Sequence, residues 1–255
     1  MTDIYKTPDS ALTESPKMDG FGSLERGKTG QFQFAISDIL KEAWKITSGS
    51  KGTIWLAILL YSIVMIPVTI VAPMIMGLAG LPSEMEPGQS FEVSLLIGLI
   101  ASQVIIVAIT LPLSAGLFMI GLKLASGVSV SATEVFNYFN KMLPLMVTMV
   151  IMYIMLIIGF LLFIIPGIYL LFAYYLSIPL VVEKGLSPWQ ALEASRKAIS
   201  KCWFRFVGLG IALMLLMIVA IIPLGIGLIW VLPLAVIAFG IVYRNIFGLE
   251  AAPSH

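Results

Sequence analysis

The chain has 255 residues, of which 59% are hydrophobic and 11% are charged, and its formal net charge is +1. An ordinary soluble domain is about 45–50% apolar, and this chain has too few charged side chains to cover a soluble globule of its size. The composition excludes a disordered chain, a coiled coil and a disulfide scaffold, and it predicts an integral membrane protein.

Residues 1–30 form the first segment, which mixes Pro, Gly, Ser, Thr and both charges without apolar periodicity. Such a composition buries too little apolar surface to fold alone, so we predict a disordered tail. Within it, Tyr5, Pro8 and Leu12 could dock in the groove of a partner protein. Residues 31–248 are the predicted membrane domain, and residues 249–255 form a short C-terminal tail.

An amphipathic pattern begins at about Phe34. Ile36, Leu40 and Trp44 recur at helical spacing, and charged residues occupy the rest of the helical wheel. We predict a helix that lies on the membrane surface ahead of the first span. Trp44, between Lys41 and Lys45, is typical of a side chain anchored among lipid headgroups.

Four long stretches contain no Asp, Glu, Lys, Arg or His, and they cover residues 52–83, 93–122, 142–182 and 206–243. A helix rises 1.5 Å per residue and the hydrocarbon core is about 30 Å thick, so one crossing needs roughly 20 apolar residues. The last two stretches are about twice that length, and each has Pro and Gly near its middle, at 165–167 and 223–227. We therefore predict an all-α integral membrane protein whose six transmembrane helices cover residues 53–80, 93–122, 142–165, 167–183, 206–222 and 226–244.

The distribution of charge predicts the orientation of these spans. Lys and Arg concentrate in short cytoplasmic loops. With six spans and a cytoplasmic N-terminus, all 15 Lys and Arg residues of the chain fall on one side. The one sizeable loop on the other side carries Glu84, Glu86 and Glu92 without a base. Both termini are therefore predicted to be cytoplasmic.

A second cytoplasmic amphipathic helix is predicted to begin at Ser187. Ser187 suits the N-cap, Pro188 suits the first helical position, and Gln190 completes a Ser-x-x-Gln capping box. The Lys and Arg residues of this helix are expected in a cytoplasmic loop, because such loops concentrate positive charge. They could also bind anionic lipid or a protein partner. The candidate interfacial or partner-contacting residues are Trp44, Ser187, Trp189, Arg196, Lys197, Lys201 and Arg205.

A third, weaker amphipathic segment covers residues 131–141. Each of the three segments precedes a span that reaches an Ile-Pro pair, at 66–67, 165–166 and 222–223. This spacing suggests, as a hypothesis, a threefold repeat of an interfacial helix plus a helical hairpin. Ile and Pro are both common in this sequence, so chance matches are the competing explanation.

This chain lacks the residues that most catalytic and ligand-binding sites require. The four charge-free stretches supply no side chain for a carboxylate-coupled transporter or a voltage sensor. Cys202 is the single cysteine and His255 the single histidine, whereas a zinc site needs three or four protein ligands. No Gly-rich phosphate loop is present. We therefore predict no enzymatic activity, no cofactor, no metal site and no nucleic-acid partner.

Methionine offers one alternative to the prediction that no metal binds. Thioethers can hold Cu(I), and methionines group in two places along the predicted spans. Methionine also fills irregular gaps between packed helices, and no Cys or His accompanies either group. Packing is therefore the favoured interpretation of the two groups, which are Met142, Met146 and Met149, and Met74, Met76 and Met85.

One segment resembles a known family. It contains Ile-Pro-Gly-Ile-Tyr at 165–169, Glu-Lys-Gly at 183–185 and Ala-Leu-Glu-Ala-Ser at 191–195. The sequence Tyr-Arg-Asn-Ile-Phe-Gly follows near the C-terminus, at 243–248. The pattern resembles bacterial inner-membrane proteins related to the membrane domain of glycerophosphoryl diester phosphodiesterases. The family-like positions are Pro166, Gly167, Tyr169, Pro179 and Gly185.

The resemblance implies a six-helix domain in a bacterial inner (plasma) membrane. The sequence has no counterpart of the catalytic phosphodiesterase domain, so no hydrolase activity is implied. Two functions remain open from the sequence. The first is a non-enzymatic scaffold, regulator or accessory subunit in the cell envelope, and the second is a channel or carrier for a neutral or amphiphilic solute or a lipid.

Overall fold

The computed structural model describes residues 21–79 and 91–250, and these residues form helices and no strand. Eight α-helices follow one another, with two short 3₁₀ helices, Ala132–Phe136 and Phe139–Lys141, between the third and the fourth. The α-helices are α1 Leu24–Thr29, α2 Ile36–Ala79, α3 Phe91–Ala125, α4 Met142–Leu162, α5 Ile164–Ala173, α6 Ser177–Glu183, α7 Pro188–Ile221 and α8 Leu228–Phe247.

Six helical stretches among the described residues are long and apolar enough to cross a membrane. This confirms the predicted all-α class and the predicted number of spans. α5 and α6 together supply the fourth stretch, and every other stretch contains one α-helix. The six stretches are Ile36–Met76, Leu95–Ala125, Ala132–Leu162, Ile164–Glu183, Pro188–Ile221 and Leu228–Phe247.

The first predicted hairpin turn lies slightly earlier than expected. The chain reverses at Phe163, whose backbone is extended (φ −163°, ψ 157°), and Pro166 lies in the first turn of α5. Proline is tolerated there because the first backbone N–H groups of a helix have no acceptor within the helix. Gly167 allows α5 to pack closely on α4, since a Cβ at this position would clash with the ring of Phe160.

The second predicted turn lies where Pro and Gly indicated it. α7 ends at Ile221 and α8 begins at Leu228. Leu224 (φ 55°) and Gly225 (φ 81°) adopt left-handed backbone conformations between them. A left-handed residue reverses the chain within a few residues, and a glycine adopts it without steric cost.

The predicted amphipathic segments differ from one another in structure. The first is continuous with its span, because α2 runs unbroken from Ile36 to Ala79 with Pro67 and Pro73 inside it. The second is also joined to its span in α7, but the backbone departs from helical geometry at Cys202 (φ −131°, ψ 22°). The third forms the two 3₁₀ helices. The threefold repeat therefore stays a prediction.

The predicted disordered tail requires a correction over residues 21–30. α1 forms there, with the Ser23 hydroxyl accepting a hydrogen bond from the N–H of Arg26 (3.3 Å) and Gly30 ending the helix in a left-handed conformation (φ 82°). The N–H of Gly22 donates to the carbonyl of Arg244 (3.0 Å). These tertiary contacts order a polar segment that cannot fold alone. Residues 1–20, including Tyr5, Pro8 and Leu12, lie outside the described residues, as do the C-terminal residues 251–255.

One residue joins several elements at the end of the bundle where α8 ends, which we call the polar end. The guanidinium of Arg244 donates to both carboxylate oxygens of Glu42 on α2 (2.8 and 3.0 Å) and to the carbonyl of Ala125 at the end of α3. It also lies over the ring of Phe21, 4.6 Å from the centroid. The Arg244 side chain is buried whereas that of Glu42 is 39% exposed, so loss of Glu42 would leave the buried guanidinium without its acidic partner. These contacts fix the start of α2 against the ends of α3 and α8.

Candidate functional site

The first half of α7, residues 188–205, holds most of the predicted partner-contacting residues. Its predicted start at Ser187 is confirmed, since Pro188 is the first helical residue and the side-chain oxygen of Gln190 accepts a hydrogen bond from the N–H of Ser187 (3.3 Å). The apolar face of this half is buried, and α7 packs on both α5 and α6. The buried residues of this face are Ala191, Leu192, Ala194, Ala198 and Ile199.

The opposite face of this half of α7 is exposed and basic. Lys197, Lys201 and Arg205 are exposed, and Arg196 is partly exposed. Two aromatic side chains accompany them: Trp189 is 55% exposed and Phe204 is 85% exposed. We call Arg196, Lys197, Lys201 and Arg205 the basic face. Because the apolar face packs on protein, this helix does not need lipid to cover it.

One acidic residue neutralises part of the basic face. Glu193 forms an ion pair with Lys197 (2.9 Å) and a longer one with Arg196 (3.7 Å). The hydrogen bond and the charge of Lys197 hold the pKa of Glu193 below its ordinary value. Among residues 21–79 and 91–250, Lys201 and Arg205 form no ion pair within 4.0 Å, and Arg205 lines one cleft together with Asp38. The uncompensated positive charge is therefore concentrated toward the end of this segment.

Trp44, the other predicted interfacial aromatic, lies on α2. It is 53% exposed, whereas Ile39, Ala43 and Thr47 on the opposite side of the helix are buried. This amphipathic segment therefore uses its apolar side for protein packing, as the first half of α7 does. Gly208 of α7 approaches Ile36, so the start of α2 lies beside α7 just after the end of its first half.

The family-like positions lie on the elements that support α7. Tyr169 on α5 shares a hydrogen bond between its hydroxyl and that of Ser200 on α7. Pro179 is buried within α6, and Gly185 has a left-handed conformation (φ 61°) in the turn that leads into α7. Pro166 and Gly167 form the start of α5. The motif residues therefore shape the platform on which the first half of α7 packs.

Ser195 has a structural role that the sequence did not reveal. α5 and α6 are separated by a break at residues 174–176, which leaves backbone groups without helical partners. The Ser195 hydroxyl donates to the carbonyl of Ala173 (2.7 Å) and accepts from the N–H of Leu176 (3.1 Å). A signal for this break was present: Pro179 has no N–H to donate to the carbonyl of Tyr175 four residues earlier.

A second polar cluster at the polar end was also missed. Glu183 is only 3% exposed, and its carboxylate accepts hydrogen bonds from the Tyr243 hydroxyl (2.8 Å) and the N–H of Glu250 (2.7 Å). Lys184, 6% exposed, lies 3.3 Å from Glu183 and also from the carboxylate of Glu250. Every charge of this cluster has an opposite charge beside it, so the cluster joins α6, α8 and the chain beyond α8 rather than offering an empty site.

A polar cleft of about 660 Å³ lies where Arg205 of α7 faces Ser37 and Asp38 at the start of α2. An apolar cleft of about 460 Å³ opens on α4. A third cleft lies between α2, α3, α7 and α8. It has a volume of about 420 Å³, and its lining is mainly aliphatic and aromatic. Tyr61, Ser114 and Tyr175 bring hydroxyl groups to it. We call this space the tyrosine cleft.

The described residues contain no group of three His, Cys, Asp or Glu side chains that could hold a metal ion. Cys202 is buried at the kink in α7. Met85 lies outside the described residues, so the methionine alternative stays a prediction.

No protein-family model matches the chain, and neither a curated protein nor a solved structure shows a match. The resemblance to the phosphodiesterase-associated membrane domain therefore stays a prediction from the sequence.

Proposed function

We propose that this multi-pass membrane protein is a non-enzymatic scaffold, regulator or accessory subunit, and that it acts in a bacterial inner membrane with both termini in the cytoplasm. The observation that carries this proposal is the basic face of α7. Its helix is already held by α5 and α6, and Lys201 and Arg205 remain exposed although the stem of Lys201 approaches Gly30 at the end of α1.

The chemistry of the exposed side chains defines the partner. Lys and Arg pair with carboxylates and phosphates, and exposed aromatic residues such as Trp189 and Phe204 supply contact area. An acidic segment of another protein is therefore the partner that the basic face fits. The non-enzymatic part of the proposal rests on the sequence, which supplies one cysteine, one histidine and no phosphate-binding loop.

Site-specific photo-crosslinking in the native membrane tests this proposal. A photoreactive amino acid at Lys201 or Arg205 should capture one reproducible protein partner. The double variant Lys201→Glu/Arg205→Glu, probed from position 197, should lose that adduct because like charges repel an acidic partner. A probe at Leu224, at the opposite end of α7, is the control. Capture that survives charge reversal, or no protein adduct from either position, would contradict the proposal.

The tyrosine cleft favours a second candidate function, a carrier for a neutral or amphiphilic solute or lipid. Carriers place their substrate between membrane helices, often beside an interrupted helix, and the α5–α6 break lies at the cleft through Tyr175. Reconstituted protein should then move a labelled lipid between the leaflets of a vesicle. A rate equal to that of protein-free vesicles would contradict this candidate.

A further inference from the structure

The tyrosine cleft combines an apolar lining with a small number of hydroxyl groups. Its volume of about 420 Å³ lies within the range of roughly 300–1,000 Å³ that is typical of small-molecule sites. The rings of Phe118 and Phe239 line the cleft, together with the flexible side chain of Met217. None of the described residues that line the cleft is charged. Such a lining suits an apolar chain and disfavours an ionic group.

The break between α5 and α6 presents Tyr175 to this cleft. The two hydrogen bonds of Ser195 stabilise the break, so it is part of the folded structure rather than a frayed helix end. The Tyr175 ring packs on Phe239 (4.8 Å between centroids) and on Phe206 (5.6 Å). Irregular backbone at membrane depth is tolerated where it is buried in protein or lines a cavity.

Two phenolic hydroxyl groups of the cleft have no hydrogen-bond partner among the described residues. They belong to Tyr61 on α2 and to Tyr175 at the break. The hydroxyl of Ser114 differs, because it donates to the carbonyl of Leu111 within its own helix (3.0 Å). Tyr61 is partly exposed and Tyr175 is 44% exposed, so protein does not enclose either ring. A hydroxyl group in a hydrocarbon environment is unfavourable without an acceptor, so each phenol would gain from one that the surrounding lipid supplies.

We propose that the tyrosine cleft binds one membrane glycerolipid, with an acyl chain along Phe118, Phe239 and Met217 and an ester oxygen accepting hydrogen bonds from Tyr61 and Tyr175. A glycerolipid matches both features of the cleft: its chain is apolar and its ester groups accept hydrogen bonds without carrying charge. The charged headgroup lies outside the cleft, since no described lining residue would neutralise it. This binding depends neither on a protein partner at the basic face nor on transport.

Photolabelling in detergent-free vesicles tests the proposal. The probe is a phosphatidylcholine that carries a diazirine in one acyl chain, diluted into unlabelled phosphatidylcholine and irradiated with the reconstituted protein. Labelling of the peptides that contain Phe118 and Phe239 should saturate as the probe fraction rises. It should also fall when unlabelled diacylglycerol, which has the esters but no charged headgroup, is added. Lipid that merely surrounds the protein would label these peptides without saturation.

The double variant Tyr61→Phe/Tyr175→Phe isolates the hydrogen bonds. It keeps both rings and should reduce saturable labelling about tenfold, which corresponds to about 1.4 kcal/mol. Its thermal unfolding should match that of the unmodified protein, because neither hydroxyl has a protein partner to lose. Tyr153→Phe on the exposed side of α4 is the matched control and should leave labelling unchanged.

Three results would overturn the proposal. One is labelling of the cleft peptides that never saturates, and another is saturable labelling that is equal in the double variant and the unmodified protein. The third is saturable labelling confined to peptides outside the cleft. Because the assay contains neither a protein partner nor a transport step, each of these results is independent of the tests of the proposed functions.

Discussion

The indole N–H of Trp55 on α2 donates a hydrogen bond of 2.9 Å to the carbonyl oxygen of Ile229 on α8. In an uninterrupted helix this carbonyl accepts from the N–H four residues later, but residue 233 is a proline and has no N–H. The tryptophan therefore replaces the donor that Pro233 removes. The two helices are joined at the position where α8 would otherwise have an unpaired backbone group.

Trp55→Phe should lower the stability of the folded protein by about 1 kcal/mol, because it keeps an aromatic side chain but leaves the Ile229 carbonyl without a donor. Thermal unfolding in detergent measures the change. Trp189→Phe is the control, since Trp189 is exposed and its indole has no described hydrogen bond, and it should unfold at the original temperature. Equal midpoints for the two variants would show that the α2–α8 hydrogen bond contributes nothing.

Ser195→Ala should lower the stability of the folded protein by about 2–3 kcal/mol, more than Trp55→Phe does. It leaves both the N–H of Leu176 and the carbonyl of Ala173 unpaired in a buried position. Hydrogen exchange should become faster in the peptide around residues 172–178. Ser48→Ala removes an exposed serine that bonds only within its own helix, and it should leave that exchange unchanged. Unchanged exchange in Ser195→Ala would mean that the break does not depend on this hydroxyl.

Gly22→Ala should detach the N-terminal segment, because the new Cβ would clash with the backbone of Ile246. Trypsin should then cleave faster after Arg26 and Lys28. Gly49→Ala is the matched control: nothing lies within 4 Å of its Cβ, and replacing a glycine inside a helix should stabilise α2 by about 0.5–1 kcal/mol. A segment that stays resistant to trypsin in Gly22→Ala would show that the close approach at Gly22 is not needed.

The predicted orientation can be tested with single cysteines in a Cys202→Ala background. Ser37→Cys lies at the exposed start of α2, and Leu224→Cys lies in the turn between α7 and α8, where the residue is 97% exposed. A membrane-impermeant maleimide added to intact spheroplasts should label position 224 only. In inverted vesicles it should label position 37 only. The reverse pattern would invert the topology, and labelling of both positions from one side would contradict the even number of spans.

The sequence by itself determined the helical class, the six crossings and the two hairpin turns, because these depend on local properties. A charge-free stretch must be long enough to cross the hydrocarbon core, and Pro or Gly near the middle of a longer stretch favours a reversal. The start of α7 was predicted for the same reason, since Ser187, Pro188 and Gln190 act within one turn of helix. The order of residues 21–30 was not predicted, because contacts with α7 and α8 and not local composition produce it.

Lys51 illustrates what local patterns do not contain. Its position just before a charge-free stretch indicated a base at the cytoplasmic membrane surface. In the folded protein its ammonium lies 5.3 Å from the ring centroid of Trp230, near the start of α8. Trp230 is about 21 Å along α8 from Arg244, at 1.5 Å per residue. Lys51 therefore lies well away from the polar end, where Arg244 pairs with Glu42. The way α2 crosses α8 therefore brings this charge to an aromatic face, which attracts a cation.

The remaining features of the candidate sites were decided by tertiary structure alone. Ser195 completes a break about twenty residues earlier in the chain, and Arg244 pairs with Glu42, 202 residues before it. Tyr61 and Tyr175 reach one cleft from a long helix and from an interrupted one. Hydropathy shows that each of these helices exists, but which faces meet depends on side-chain packing between distant segments. The cleft and the polar end therefore exist only once the helices have packed together.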